Sequence, residues 1–224
     1  MFVPANRPFI KNEEINYVKK SLKSGWISAD SDINKKFEKE FSKKIKRKYS
    51  VAVSSGTAAI DIAIKSINIK QGDEVIIPAF TIISTISQII RSGAKPILVD
   101  ADPDTWNINT ELLEKKITKK TKAIMVVHIY GIPTKLDVVL KIAKKYKLYV
   151  IEDAAELLGQ TYKGKPIGSF GDISIFSFFV NKHITTGEGG MISTDKKYFR
   201  DKFFIYRNLS FNPKKQKFIH DDLG

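Results

Sequence analysis

Cysteine is absent from the 224 residues, which excludes a disulfide framework, a thiolate metal site and a cysteine nucleophile. Histidine is nearly absent: His128, His183 and His220 are too scattered to form a ligand motif, and no resident metal is expected. Long hydrophobic runs are also missing. No window approaches the ~18 consecutive apolar residues of a membrane span, and the opening MFVPANRPFIKNEE has no cationic flank followed by an apolar stretch. A soluble, cytoplasmic protein with no membrane partner is expected. Arginine is scarce beside lysine, although the formal net charge is +14. Such an excess suits an anionic partner, and nucleic acid is the first to weigh. The distribution argues against it. The lysines are spread over nearly every amphipathic segment (KKSLKS, KKFEKEFSKK, EKKITKKTK, KIAKKYK), with no recognition-helix or RNA-binding signature beside them. Solvated helix faces are the simpler reading, and a field that attracts a phosphorylated small molecule is the second.

What is present is enough apolar residue, 42%, to bury one large core, so a single domain over 1–224 is the default. Asn12 is expected to cap a first helix with Ile15, Val18 and Leu22 on one face. A second helix from Asp32 repeats Ile33, Phe37, Phe41 and Ile45 at four-residue spacing, and SGWISAD between the two reads as a loop. From Tyr49 onward short apolar runs alternate with amphipathic stretches. Strands are expected at 51–53, 74–78, 95–100, 122–130, 148–153, 173–179 and 190–194, and helices at 57–67, 81–91, 109–118, 135–146 and 196–206. Runs apolar on both faces suit a mostly parallel sheet covered on both sides, which makes the fold class α/β, a three-layer sandwich with about seven strands. The polar ending FNPKKQKFIHDDLG brings no closing element, as though the chain ended in mid-fold.

Function in open α/β sheets collects beyond the carboxyl ends of strands, and three such loops stand out. Ser54-Ser55-Gly56-Thr57-Ala58-Ala59 lies between a strand and a helix. It reads either as a structural turn or as a phosphate cradle, in which small residues let backbone amides approach an anion and Thr57 adds a hydroxyl. It matches neither a Walker loop nor GxGxxG. Glu152-Asp153-Ala154-Ala155-Glu156 follows a hydrophobic strand and reads either as a helix cap or as a buried acid facing a cationic ring nitrogen. In Ser177-Phe178-Phe179-Val180-Asn181-Lys182-His183, which runs on into TTGEGG, a lysine after an apolar strand could be desolvated enough to form a Schiff base. Against that stands the bulk of lysines in this chain, which solvate its surface.

In this order the three segments resemble the DegT-type sugar aminotransferases, fold-type I pyridoxal-phosphate (PLP) enzymes. The similarity runs through PANRPFIKNEEINYV, the Gly25-Trp26-Ile27-Ser28 loop, SSGTAAIDIAI, GDEVIIPAFT, GAKPILVDAD, TKAIMVVHIYG, VIEDAAE and FSFFVNKHITTGEGGMI. The nearest look is to the perosamine and viosamine synthases. The resemblance implies the large domain of the fold-type I transferases, a homodimer, and PLP as cofactor with pyridoxamine phosphate as its intermediate form. The implied reaction moves an amino group from an amino acid such as glutamate to a nucleotide-linked 4-keto-6-deoxy sugar. Carried onto this sequence, it makes Lys182 the catalytic lysine, which bonds the cofactor and shuttles the proton. Asp153 becomes the partner of the pyridine nitrogen; Gly56, Thr57 and Ser177 hold the phosphate, and Glu156 lies near the phenolic oxygen. Trp26 and His128 fall where relatives line the sugar-nucleotide side, although Trp26 reads equally as a packing residue and His128 as a satisfied buried histidine.

Three departures accompany the resemblance. An aromatic residue that stacks on the pyridine ring commonly follows the threonine of the P-x-x-T turn, and here that position is Ile82, so aliphatic contact replaces stacking unless Phe80 substitutes. Ser87 stands where relatives commonly carry asparagine. Family chains also continue past the equivalent of Leu223-Gly224 into a loop that serves the partner subunit's phosphate site and then into a smaller C-terminal domain, so a truncated chain lacking that domain is expected. Two other activities stay open: a truncated domain that binds PLP without turnover, and the PLP-dependent sugar dehydration of relatives that carry histidine at the lysine position.

Overall fold

The computed structural model describes residues 6–210, so His220 and the segment 211–224 lie outside the described residues. Two helices, α1 (Asn12–Ser24) and α2 (Asp32–Lys44), precede strand β1 (Tyr49–Val53). The alternation then begins: α3 (Gly56–Ser66), β2 (Glu74–Pro78), α4 (Ile83–Arg91), β3 (Lys95–Val99), α5 (Leu113–Lys116), β4 (Thr121–Val127), α6 (Leu136–Tyr146) and β5 (Tyr149–Asp153). A small hairpin of β6 (Thr161–Tyr162) and β7 (Lys165–Pro166) leads to β8 (Ile173–Ser177), β9 (Gly190–Thr194) and α7 (Lys197–Arg207).

Seven strands form one sheet in the order β1-β9-β8-β5-β4-β2-β3. β3, β2, β4, β5 and β8 pair in parallel, and β9 pairs antiparallel with both β8 and β1. β9 alone therefore runs against the other six. Side chains alternate across this sheet with period two. One face packs Ile151, Ile175 and Met125 against α3, α4 and α7; the other packs Val150, Phe176 and Val126 against α2, α5 and α6. Both faces being covered explains why the β2 sequence, EVIIP, is continuously apolar after its first residue and buried throughout. Each fully buried isoleucine there is worth roughly 1.5–3 kcal/mol over an exposed one. Among the described residues no helix is long and apolar enough to cross a membrane.

Two local expectations are corrected. Lys11, not Asn12, is the residue before the first helical turn, where its amide donates to the Glu14 carboxylate at 2.7 Å; Asn12 is already helical. The helix expected over 109–118 is only the single turn of α5. The Asn109 side chain accepts from the Glu111 amide at 3.0 Å, an Asx turn that competes with helix, and Ile117 is already extended ahead of β4. The expected strands at 122–130 and 173–179 end at Val127 and Ser177, and the shortened ends are the loops that carry the site.

Candidate active site

β1, β2, β4, β5 and β8 all end on one edge of the sheet, on the face shared with α3 and α4. There they enclose a cavity of about 360 Å³, within the range of small-molecule and cofactor sites. Gly56, Thr57, Asp153, Glu156, Ser177 and Lys182 all border it. They come from three segments spread over more than half the chain, and the sheet order is what brings them together. A groove of about 1130 Å³ between α1, α2 and α3 is larger and takes Ser54, Ala58 and Thr186 from two of the three loops, but Asp153, Glu156 and Lys182 do not line it. The chemistry, and not the volume, picks the site.

The anion end is built by α3. Ser55 caps the helix, its hydroxyl accepting from the Ala58 amide at 3.0 Å, and leaves the first-turn amides facing the cavity. Glycine at 56 follows from close packing: a Cβ there would sit 3.0 Å from Ser177 Cβ. Gly190 of β9 is tighter still, since a Cβ would lie 2.5 Å from the Ser55 carbonyl and 2.8 Å from the Gly56 nitrogen. β8, β9 and the start of α3 therefore form one close-packed corner. The sequence left this turn open between a structural role and a phosphate cradle; its close packing serves the first, and its free first-turn amides are the donors the second would need.

At the opposite end, Asp153 is 2% exposed. Among the described residues its carboxyl receives one hydrogen bond, from the Ala155 amide at 3.0 Å. Burial pushes its pKa up to about 6 against the opposing pull of that amide and of the more distant His128 and Lys182. A buried carboxylate so poorly compensated is chemically suited to a cationic partner. Lys182 enters from the loop between β8 and β9 with its side chain 16% exposed, and its ammonium lies 3.4 Å from Glu156 Oε1. Glu156 is held from behind by the Tyr130 amide, which donates to Oε2 at 3.0 Å. His183 is exposed and does not border the cavity, so the register puts lysine and not histidine at the centre.

The remaining expectations separate. Trp26 is exposed on the loop after α1 and does not border the cavity. His128 is fully buried on the opposite face of the sheet, with Nε2 3.2 Å from Glu152 Oε1 and Nδ1 accepting from the Thr134 amide at 3.1 Å. Both ring nitrogens are occupied, so of its two readings the structure selects the satisfied buried histidine. Ile82 borders the cavity, as the P-x-x-T turn implied, whereas Phe80 turns away to pack against Trp106 and Tyr130 and supplies no stacking ring. Ser87 lies outside the lining. Sequence reasoning missed Thr81, Ser84 and Glu188, which also border the cavity; a strand-end signal, the hydroxyl residues directly after β2, pointed to the first two.

Residues 8–224 match the model of the DegT/DnrJ/EryC1/StrS aminotransferase family. The GDP-perosamine synthase of Escherichia coli O157:H7 is 43% identical over 223 residues, covering 100% of this chain and 61% of that protein. An aminotransferase from Psychrobacter cryohalolentis superposes with a TM-score of 0.91 at 34% identity, covering 98% of this chain and 58% of that one. The E. coli GDP-4-keto-6-deoxy-D-mannose-3-dehydratase with bound hydrated PLP superposes at 0.88 with 32% identity, covering 97% and 60%. The chain spans between 52% and 61% of the length of five of the curated relatives it matches. A match over nearly the whole sequence, on a sheet whose strand-end loops converge around a lysine and two acids, settles the family: the chain belongs to the DegT/DnrJ/EryC1/StrS aminotransferases.

Proposed function

We propose that this chain binds PLP through Lys182 and forms the catalytic core of a sugar-nucleotide aminotransferase. It would act as a cytoplasmic homodimer that moves an amino group from an amino acid, glutamate in the reading we favour, to a nucleotide-linked 4-keto-6-deoxy sugar. The observation that carries this reading is a mostly buried lysine beside Glu156 that shares one cavity with the undercompensated Asp153 and the α3 N-terminus. The GDP-perosamine synthase relative supports the sugar class.

The residues fit the cofactor group by group. The α3 amides, that of Thr57 among them, would hold the phosphate together with the Ser177 hydroxyl. Asp153 would keep the ring nitrogen protonated, its burial penalty offset by the cation it faces. Glu156 would lie by the phenolic oxygen. When bound, PLP supplies an electron sink for the pair left as a proton departs the carbon bearing the amine. Lys182 would carry that proton, and the loop holds it at the cavity, the Lys182 amide donating to the Phe179 carbonyl at 3.0 Å. The Ile82 side chain borders the cavity and adds no stacking contact.

The test is spectroscopic. Purified chain mixed with PLP should develop an absorbance band between about 300 and 500 nm, as a lysine bonded to the cofactor carbonyl requires. Borohydride should fix the cofactor on the peptide containing Lys182, and Lys182→Ala should show neither. Absence of band and adduct in a folded sample would overturn the reading. Amination of a nucleotide-linked keto-sugar then separates the transaminase from a domain that binds PLP without turnover, and loss of a sugar hydroxyl as water would mark the dehydratase.

A further inference from the structure

The hydroxyl that completes the anion end lies outside the sequence motifs. Thr57 borders the cavity in the first turn of α3, where a phosphate would need its hydroxyl as a donor. That proton is already engaged: the geometry has Thr57 Oγ1 donating to Ser84 Oγ at 3.1 Å. A serine or threonine hydroxyl carries one proton and two lone pairs, so in this arrangement Thr57 can offer a further partner only lone pairs, which a phosphate oxygen cannot use. Ser84 is the reverse. Among the described residues its hydroxyl accepts from Thr57 and donates to nothing, and Ser84 itself borders the same cavity from the first turn of α4. The neighbouring hydroxyls on that turn are paired elsewhere: Thr81 Oγ1 with Thr85 Oγ1 at 3.1 Å, and Ser87 Oγ with the Ser84 carbonyl at 3.3 Å. Of the Thr57–Ser84 pair, the hydroxyl proton left unused by the bond between them is on Ser84.

We propose that Ser84 is a cofactor-binding residue, donating its hydroxyl proton to the phosphate while Thr57 orients it by donating to its oxygen. The pair acts as a two-hydroxyl relay, Thr57 to Ser84 to anion, in which each donor polarises the next. This ties α4 to the anion site as well as α3. It also gives the helix that carries Ile82 a polar hold on the cofactor where the aromatic wall is missing. The assignment rests on the PLP reading above.

The test compares PLP with pyridoxal, which keeps the ring and aldehyde and lacks the phosphate. Apparent dissociation constants are read by absorbance for wild type, Ser84→Ala and Ser84→Thr, with the melting temperature of each cofactor-free form as a fold control. Ser84→Ala should weaken PLP about tenfold, the order expected when a hydrogen bond to a charged acceptor is lost. Its pyridoxal affinity and melting temperature should stay at wild-type values, and Ser84→Thr should restore PLP binding. Equal loss for PLP and pyridoxal would mean that Ser84 acts on general structure, and no loss for either would mean that Thr57 reorients and serves the phosphate alone. Either result overturns the assignment while leaving PLP on Lys182 intact. If wild type takes up no PLP at all, the parent reading fails and this one with it.

Discussion

Glu152 and Asp153 are neighbours on β5, both acids and both buried, and the pleat sends them to opposite faces of the sheet. Under the sheet, Glu152 is fully engaged. One oxygen accepts from the Gly168 amide at 2.7 Å and faces His128 at 3.2 Å, and the other accepts from the Phe170 amide at 2.9 Å. Arg47 grips the same loop from its other side, donating to the carbonyls of Gly168, Phe170 and Gly171 and to Asp195. Above the sheet, Asp153 has one amide and open cavity. Two residues of the same chemistry and burial thus differ in how completely their charge is answered. A satisfied acid holds a loop in place; an unsatisfied one is set aside for something the chain does not itself provide.

That contrast can be broken from either side. Lys182→Ala acts on the upper face alone: amination should fall by on the order of 10³-fold or more, the scale of losing both the covalent anchor and the proton carrier. Its melting temperature without cofactor should stay near wild type, and a large drop would show that the lysine is structural. Glu152→Ala acts beneath, leaving two loop amides and His128 without their acceptor. It should cost about 3 kcal/mol in denaturant unfolding, and loss of cofactor affinity with no loss of stability would reverse the roles assigned to the two acids.

Asp153→Asn should do the opposite and stabilise the cofactor-free chain. Its folded pKa is raised from 3.8 to about 6, so between these values the folded chain holds a proton that the unfolded chain has released. Stability from this group therefore falls as pH rises through that window, and the full penalty stands above it. The asparagine variant should gain roughly 2–3 kcal/mol near pH 7.5, a gain that shrinks toward pH 4, while PLP binding weakens. Melting curves at the two pH values check the sign. The smallest effect concerns the wall: Ile82→Phe should tighten PLP severalfold, about 0.5–1.5 kcal/mol of ring contact, as read by absorbance titration.

Much of this was legible in the sequence because it is local. Continuous apolar runs such as EVIIP announce a sheet covered on both faces, and acids or lysines directly after such runs mark the strand-end loops. The resemblance carried by VIEDAAE and FSFFVNKHITTGEGGMI then assigned the residues that the structure brings around one cavity. What could not be read depends on partners distant in the chain. Nothing in Arg47 announces Gly168, and nothing in Thr57 announces Ser84. The β6–β7 hairpin, turned by Lys163 and Gly164 at positive φ, was hidden in strands only two residues long. The 109–118 helix failed because an asparagine side chain offered the backbone a competing bond.

The reversed strand β9 has one further consequence. Ser177 and Gly190 are direct partners across the β8–β9 ladder, and Gly190 also pairs with Val53 at the foot of the anion site. The twelve residues that carry Lys182 therefore leave and re-enter the sheet at a single clamped point, like an arm on a fixed shoulder. Phe178 at its base is buried in the core and bonded to Gly189, so changes in the outer residues around Lys182 should move the amine relative to the cavity while the base and the Ser177–Gly190 pair keep the frame that holds the phosphate.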